Sequence, residues 1–173
     1  MSTERQFIPL PIAVLTISDS RTEENDTSGH LLVERLTGAG HRLHDKQIVV
    51  DDIYRIRAIV SQWIADPACS VVLTTGGTGV TGRDGTPEAI SVLLDKTIEG
   101  FGEMFRVLSY DQIKTSTLQS RALAGVANGT YIFCMPGSTS ACATAWDTLI
   151  SAQLDYRTRP CNLAELMPRL LER

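Results

Sequence analysis

Three short runs in this chain read as strands, and each ends in a loop of special composition: Ile12 to Ser18, which is almost wholly apolar, Ser70 to Thr75, and the apolar Tyr131 to Met135. A strand with apolar side chains on both faces and no polar alternation belongs in a parallel sheet that is covered on both sides. Parallel strands need crossover connections, and the segments between the runs have helical spacing.

After the first run, Leu31, Leu32 and Leu36 form an apolar stripe behind the capping residues Thr27-Ser28-Gly29, and Gly38 and Gly40 stop it. Gln47 to Val50 reads as another strand, followed at helical spacing by Ile53, Ile56, Val60, Trp63 and Ile64 behind the acidic pair Asp51-Asp52. Thr86-Pro87-Glu88 offers a capping hydroxyl, a proline at the first helical position and an acidic first turn, which predicts a helix from there towards Leu94. Further helices are predicted near Phe101 to Leu108, Thr117 to Val126 and Ser138 to Leu149, with a turn at Asn128-Gly129.

Strands alternating with helices imply right-handed crossovers and an α/β fold, a three-layer α/β/α arrangement with a mostly parallel, Rossmann-like sheet. With 173 residues, 43% of them hydrophobic, the chain can bury one substantial core. No repeat, low-complexity tract or linker divides it, so residues 1–173 are read as a single domain.

The net charge is −4 and the 21% of charged residues are dispersed, so the basic footprint needed for a nucleic-acid partner is missing. No apolar run reaches the roughly 20 residues that span a bilayer. The polar start Ser2 to Gln6, then Pro9 and Pro11, is unlike a signal peptide, so no membrane partner is expected and a cytoplasmic location is. Cys69, Cys134, Cys142 and Cys161 form no C-x-x-C pair and are read as reduced thiols, Cys134 as a structural one. His30, His41 and His44 are read as surface histidines, and Trp63 and Trp146 as packing residues.

Ligands of such folds sit beyond the carboxyl ends of the strands. Three loops belong at that edge: Ser18-Asp19-Ser20, Thr74 to Gly79, and Pro136-Gly137-Ser138-Thr139. Gly76, Gly77, Gly79 and Gly137 let backbone N–H groups approach a ligand, and the hydroxyls of Ser18, Thr75, Thr78 and Ser138 add neutral donors. One such loop is an ordinary tight turn; three at one edge read as an anion cradle. Gly77 to Gly82 also matches G-x-G-x-x-G, the basis of a different reading as an NAD-dependent oxidoreductase. That fingerprint needs its third glycine in the opening turn of a helix, whereas the helix signal here begins at Pro87.

Asp84 sits on the glycine-flanked loop, where a carboxylate would repel phosphate unless a divalent cation such as Mg2+ lay between them. Asp51 fits a second carboxylate from a neighbouring loop and equally a helix N-terminal charge. Glu88 reads as a first-turn charge with room for a ligand contact.

Thr74-Thr-Gly-Gly-Thr-Gly79 with Asp84 and Thr86-Pro-Glu-Ala89 resembles the signature of the MoaB/MogA family. The similarity extends through Leu15 to Asp19, Asp26 to Gly29, Gly100 to Glu103, Thr115 to Arg121 and Met135 to Ser138; Ser116 to Arg121 and Arg157 to Asn162 resemble its B branch most. The resemblance implies a cradle for the phosphate and pterin of molybdopterin. It also implies, in adenylating members, transfer of AMP from Mg-ATP to that phosphate. It assigns Asp51 and Asp84 to the metal and nucleotide, and Gly76 to Gly79 to phosphate oxygens. Ser18 and Asp19 would contact the pterin, and Ser116 with Ser138 would close the other wall. Pro136, Gly137, Thr75 and Glu88 complete the implied set, and a homo-oligomer, trimer or hexamer, is implied as the assembly. A non-catalytic molybdopterin carrier with the same cradle is the rival expectation.

Overall fold

A computed structural model describes residues 4–172; Ser2 and Thr3 of the polar start lie outside the described residues. Six strands form one sheet: β1 (Pro11–Ile17), β2 (Arg42–Val49), β3 (Val71–Thr75), β4 (Lys96–Thr97), β5 (Leu123–Ala127) and β6 (Thr130–Met135), in the order β2-β1-β3-β6-β5-β4. The first four in that order run parallel, while β5 is antiparallel to β6 and β4 to β5. The mostly parallel α/β architecture is thus present, with an antiparallel margin.

The apolar runs occupy the middle of the sheet because both their faces are covered. Ile12, Val14, Leu73 and Phe133 pack into one buried cluster, and Ala13, Leu15, Val72 and Ile132 into the other. The first cluster is covered by α1 (Thr27–Gly38), α4 (Glu99–Ile113) and the segment from α5 (Thr139–Ala145) to α6 (Ser151–Leu154), the second by α2 (Ile53–Ala65) and α3 (Thr86–Ser91). A short helix α7 (Leu163–Leu166) follows.

Several local expectations are corrected. Thr117 to Val126 is not a helix: a 3-10 turn occupies Lys114–Gln119, and Leu123–Ala127 is a strand in register with β6. Leu-Ala-Gly-Val-Ala has helix-compatible composition, but ladder pairing and burial decide the outcome. Strand β2 begins at Arg42 rather than Gln47, since an edge strand carries polar, half-exposed residues that look like loop. The cap of α1 is Asp26, whose carboxylate accepts from Gly29 N at 3.0 Å, and α3 begins behind Gly85, with the Thr86 hydroxyl used elsewhere. α3 also stops at Ser91, short of Leu94. The predicted Ser138–Leu149 helix passes into a π-helical turn at Trp146–Ile150. His41 is buried, not superficial: its Nδ1 accepts from Leu10 N at 3.1 Å, and its ring packs against Phe7 and Trp146.

Asn128 and Gly129 both have positive φ, 47° and 79°, as a tight turn between antiparallel strands requires. Cys69, Cys134, Cys142 and Cys161 are all free thiols. No described helix is long and apolar enough to cross a membrane.

Candidate functional site

Register brings the carboxyl ends of the central strands side by side: Thr16 pairs with Thr75, and Thr75 with Met135. The chain therefore leaves β1, β3 and β6 at one edge, and the three glycine and hydroxyl loops meet there around a pocket of about 410 Å³. Its floor is Gly76 to Gly79, with Pro136, Gly137 and Ser138 beside it. Ser18, Asp51, Asp84 and Ser116 line the pocket as well.

The floor turns sharply. Gly76 N donates to Met135 O at 3.0 Å, and φ values of +106° at Gly76 and +67° at Gly77 select glycine at both. A β-carbon at Gly76 would strike the carbonyl oxygen of Ile17, and one at Gly79 would come within 2.6 Å of Asp84 Oδ2. The turn is stitched to α3 by Thr86, whose hydroxyl donates to Gly76 O at 2.8 Å and whose N–H donates to Gly77 O at 3.0 Å. Ser138 caps α5, its hydroxyl accepting from Ala141 N at 3.1 Å.

Three of the predicted site residues have side chains engaged elsewhere. Thr75 is buried, donating to Pro136 O at 3.0 Å and accepting from the Cys142 thiol at 3.2 Å, so it ties two loops together behind the pocket. Glu88 forms an ion pair with Arg121. Both oxygens of Asp19 are engaged, with the Arg83 guanidinium at 2.7 and 2.9 Å and with Asp51 N at 3.0 Å.

The two pocket carboxyls differ in environment. Burial pushes the Asp51 carboxyl above its ordinary range, helped by the charges of Asp19 and Asp84 and opposed by Arg83. Asp51 Oδ1 is buried and has no hydrogen-bond partner. The Thr81 hydroxyl, 2.6 Å from Asp84 Oδ2, leads in holding the Asp84 carboxyl below its usual range, and Thr81 N adds a bond of 2.9 Å. No lysine, arginine or histidine lines the pocket among the described residues, so its donors are backbone N–H groups, hydroxyls and amides.

Arg121 was legible only as the end of the Ser116-to-Arg121 motif. Its N–H donates to Thr78 O at 3.1 Å, Nε to Gly79 O at 2.7 Å and Nη2 to Asp84 O at 2.9 Å, so one residue holds the glycine loop and the Asp84 turn together. Ser120 also lines the pocket, with a buried hydroxyl that has no partner. The sequence carries no separate signal for it. Asp51 and Ser120 are thus polar atoms buried at the pocket wall and awaiting a partner.

Residues 13–156 match the family described as "Probable molybdopterin binding domain". The chain is 60% identical over 162 residues to molybdenum cofactor biosynthesis protein B of Escherichia coli (strain K12), covering 94% of each chain. A crystal structure of a molybdenum cofactor biosynthesis protein B superposes with a TM-score of 0.84 at 45% identity, over 87% of this chain and 94% of the other. The tungsten cofactor synthesizing protein MoaB from Pyrococcus furiosus superposes with a TM-score of 0.76 at 36% identity, over 83% and 91%. On this coverage and identity, together with the glycine turn and its two carboxylates, the chain belongs to the MoaB/MogA family, in its B branch.

Proposed function

We propose that this protein acts in molybdenum-cofactor biosynthesis by binding molybdopterin in the pocket and adenylating its terminal phosphate with Mg-ATP. In that reaction a phosphate oxygen of molybdopterin attacks the α-phosphorus of ATP, the bond to the β-phosphate breaks, and pyrophosphate leaves. The observation that carries the reading is Asp51, which lines the same pocket as Asp84 beside the glycine turn and carries a buried, unpartnered Oδ1.

Gly76 to Gly79 and Pro136 to Ser138 would hold phosphate oxygens through backbone N–H groups. Asp51 and Asp84 would hold Mg2+, which lets carboxylates and phosphates share one site; two protein carboxylates with substrate oxygens and water completing the shell are usual for this ion. Ser18, Thr78, Ser116 and Ser138 supply hydroxyls to the pterin, while Thr75, Asp19 and Glu88 shape the loops around it. Nucleotidyl transfer of this kind depends on positioning and charge stabilisation, and needs no covalent nucleophile.

Self-association into a trimer or hexamer is proposed too. Support comes from Met104 and Val107 on α4 and nearby Leu118, which are 48%, 64% and 79% exposed although large and apolar. A cytoplasmic location fits the pathway and the lack of a membrane-spanning helix among the described residues.

Pyrophosphate release by purified protein given molybdopterin and Mg-ATP tests the reading, with Asp84→Asn as control. Release that the variant loses supports adenylation. Molybdopterin binding without release from either protein leaves a carrier that uses the same cradle.

A further inference from the structure

The pocket presents a charge problem. Asp51 and Asp84 face it, no cation lines it among the described residues, and the ligands of the proposed reaction are polyanions. Arg83 is a cation next to the site, paired with the Asp19 carboxylate that accepts from Asp51 N. It stands on the loop between Gly79 and Asp84, and its side chain is 65% exposed. Its guanidinium lies across the gap between the loops that follow β3 and β1, with Nε and Nη2 on the two oxygens of Asp19. Asp19 in turn accepts from Asp51 N, so the pair abuts the residue with the orphaned oxygen.

Even a two-pronged arginine–carboxylate pair gains only modestly when exposed, because water screens the attraction and the long arginine side chain loses freedom to make it. A guanidinium binds phosphate in the same two-pronged geometry as carboxylate, and phosphate carries more charge. Partner exchange is therefore cheap for Arg83.

We propose that Arg83 is a polyphosphate-binding residue held in reserve: it leaves Asp19 and engages the β- and γ-phosphate end of the nucleotide when that ligand enters. Asp19 is then the competitor that keeps Arg83 away from the ligand position. The inference rests on the nucleotide reading above, and names the residue that would supply its missing positive charge.

Calorimetric titration of the full-length protein with inorganic pyrophosphate and Mg2+ tests it. Arg83→Ala should weaken binding by about tenfold, the loss of one charge-assisted contact. Asp19→Asn keeps an oxygen for Asp51 N–H but frees Arg83, and should tighten binding. In the Arg83→Ala background the same change should do little, since the coupling runs through the arginine. A merely structural pair predicts a different pattern, with both single variants weaker because both unfasten the loops. That pattern, or no change in either, overturns the proposal while leaving nucleotide binding intact. If the unaltered protein binds no magnesium pyrophosphate, the nucleotide reading falls and this inference with it.

Discussion

A β-carbon on Gly77 would lie 2.7 Å from Asp51 Oδ1, closer than such contacts allow, and would meet the Thr86 hydroxyl as well. The glycine thus leaves room beside the turn for the buried, unpartnered carboxylate oxygen. Gly77→Ala is expected to cost about 1–2 kcal/mol, from the positive φ and the contact together, and to weaken molybdopterin binding by more than tenfold. Thermal melts and a binding titration on the same preparation check both effects.

Asp51→Asn should stabilise the protein while disabling it. The Asp51 carboxyl titrates above its ordinary value of 3.8, so the folded chain holds that proton more tightly than the unfolded one. Ionisation then opposes folding at every pH above the raised value, and the penalty fades as pH falls through it towards the ordinary 3.8. The amide should raise the melting temperature at pH 7 on the order of 2 °C, a modest shift because the group is partly exposed, and the gain should disappear in acid. An unchanged melting temperature at pH 7 would show that Asp51 is not destabilised by its surroundings.

Lys46 is expected to matter for folding in spite of its place on an edge strand. Its Nζ is 3.0 Å from Asp26 Oδ2, and the Asp26 side chain is fully buried, capping α1 and accepting from the Thr16 hydroxyl at 2.8 Å. Lys46→Met should cost about 3 kcal/mol by leaving a buried carboxylate without its cation, and adding Asp26→Asn should recover part of that loss. Denaturant titrations of the single and double variants measure it.

Alkylation should separate the cysteines cleanly. Burial pushes the thiols of Cys69 and Cys142 up to about 11 and that of Cys134 to about 12, while Cys161 is exposed. Iodoacetamide at pH 8 should label Cys161 alone in the native protein and all four in denaturant, since only the thiolate reacts. Labelling of Cys134 in the native state, read by mass spectrometry, would contradict its structural role.

The parts of the fold legible in the sequence are those where one force dominates. Val71 to Thr75 and Tyr131 to Met135 are buried on both faces, so nothing but an apolar run could serve there, and their loops follow from the parallel order. Leu123–Ala127 was opaque because its small residues pair with β6 through backbone bonds that composition does not encode. Arg42 to Lys46 was opaque for the opposite reason, an edge position that tolerates polar residues. At the site, the glycine turn and Asp84 were legible in their loop, whereas the residues alone left Asp51 equally a helix N-terminal charge and only the family resemblance singled it out. The roles of Thr75 and Glu88 were not legible, since their partners Pro136 and Arg121 lie 61 and 33 residues away along the chain.

The pocket floor is built from peptide groups rather than side chains, and that divides its vulnerability in two. A substitution other than proline can crowd the main-chain donors of the turn but cannot delete them, whereas each carboxylate is lost by exchanging a single atom. On the proposed function, capture of an anion and chemistry upon it would therefore be inherited separately. A lineage could abandon one at Asp51 or Asp84 while the other persists unchanged, leaving a protein that still holds what it no longer converts.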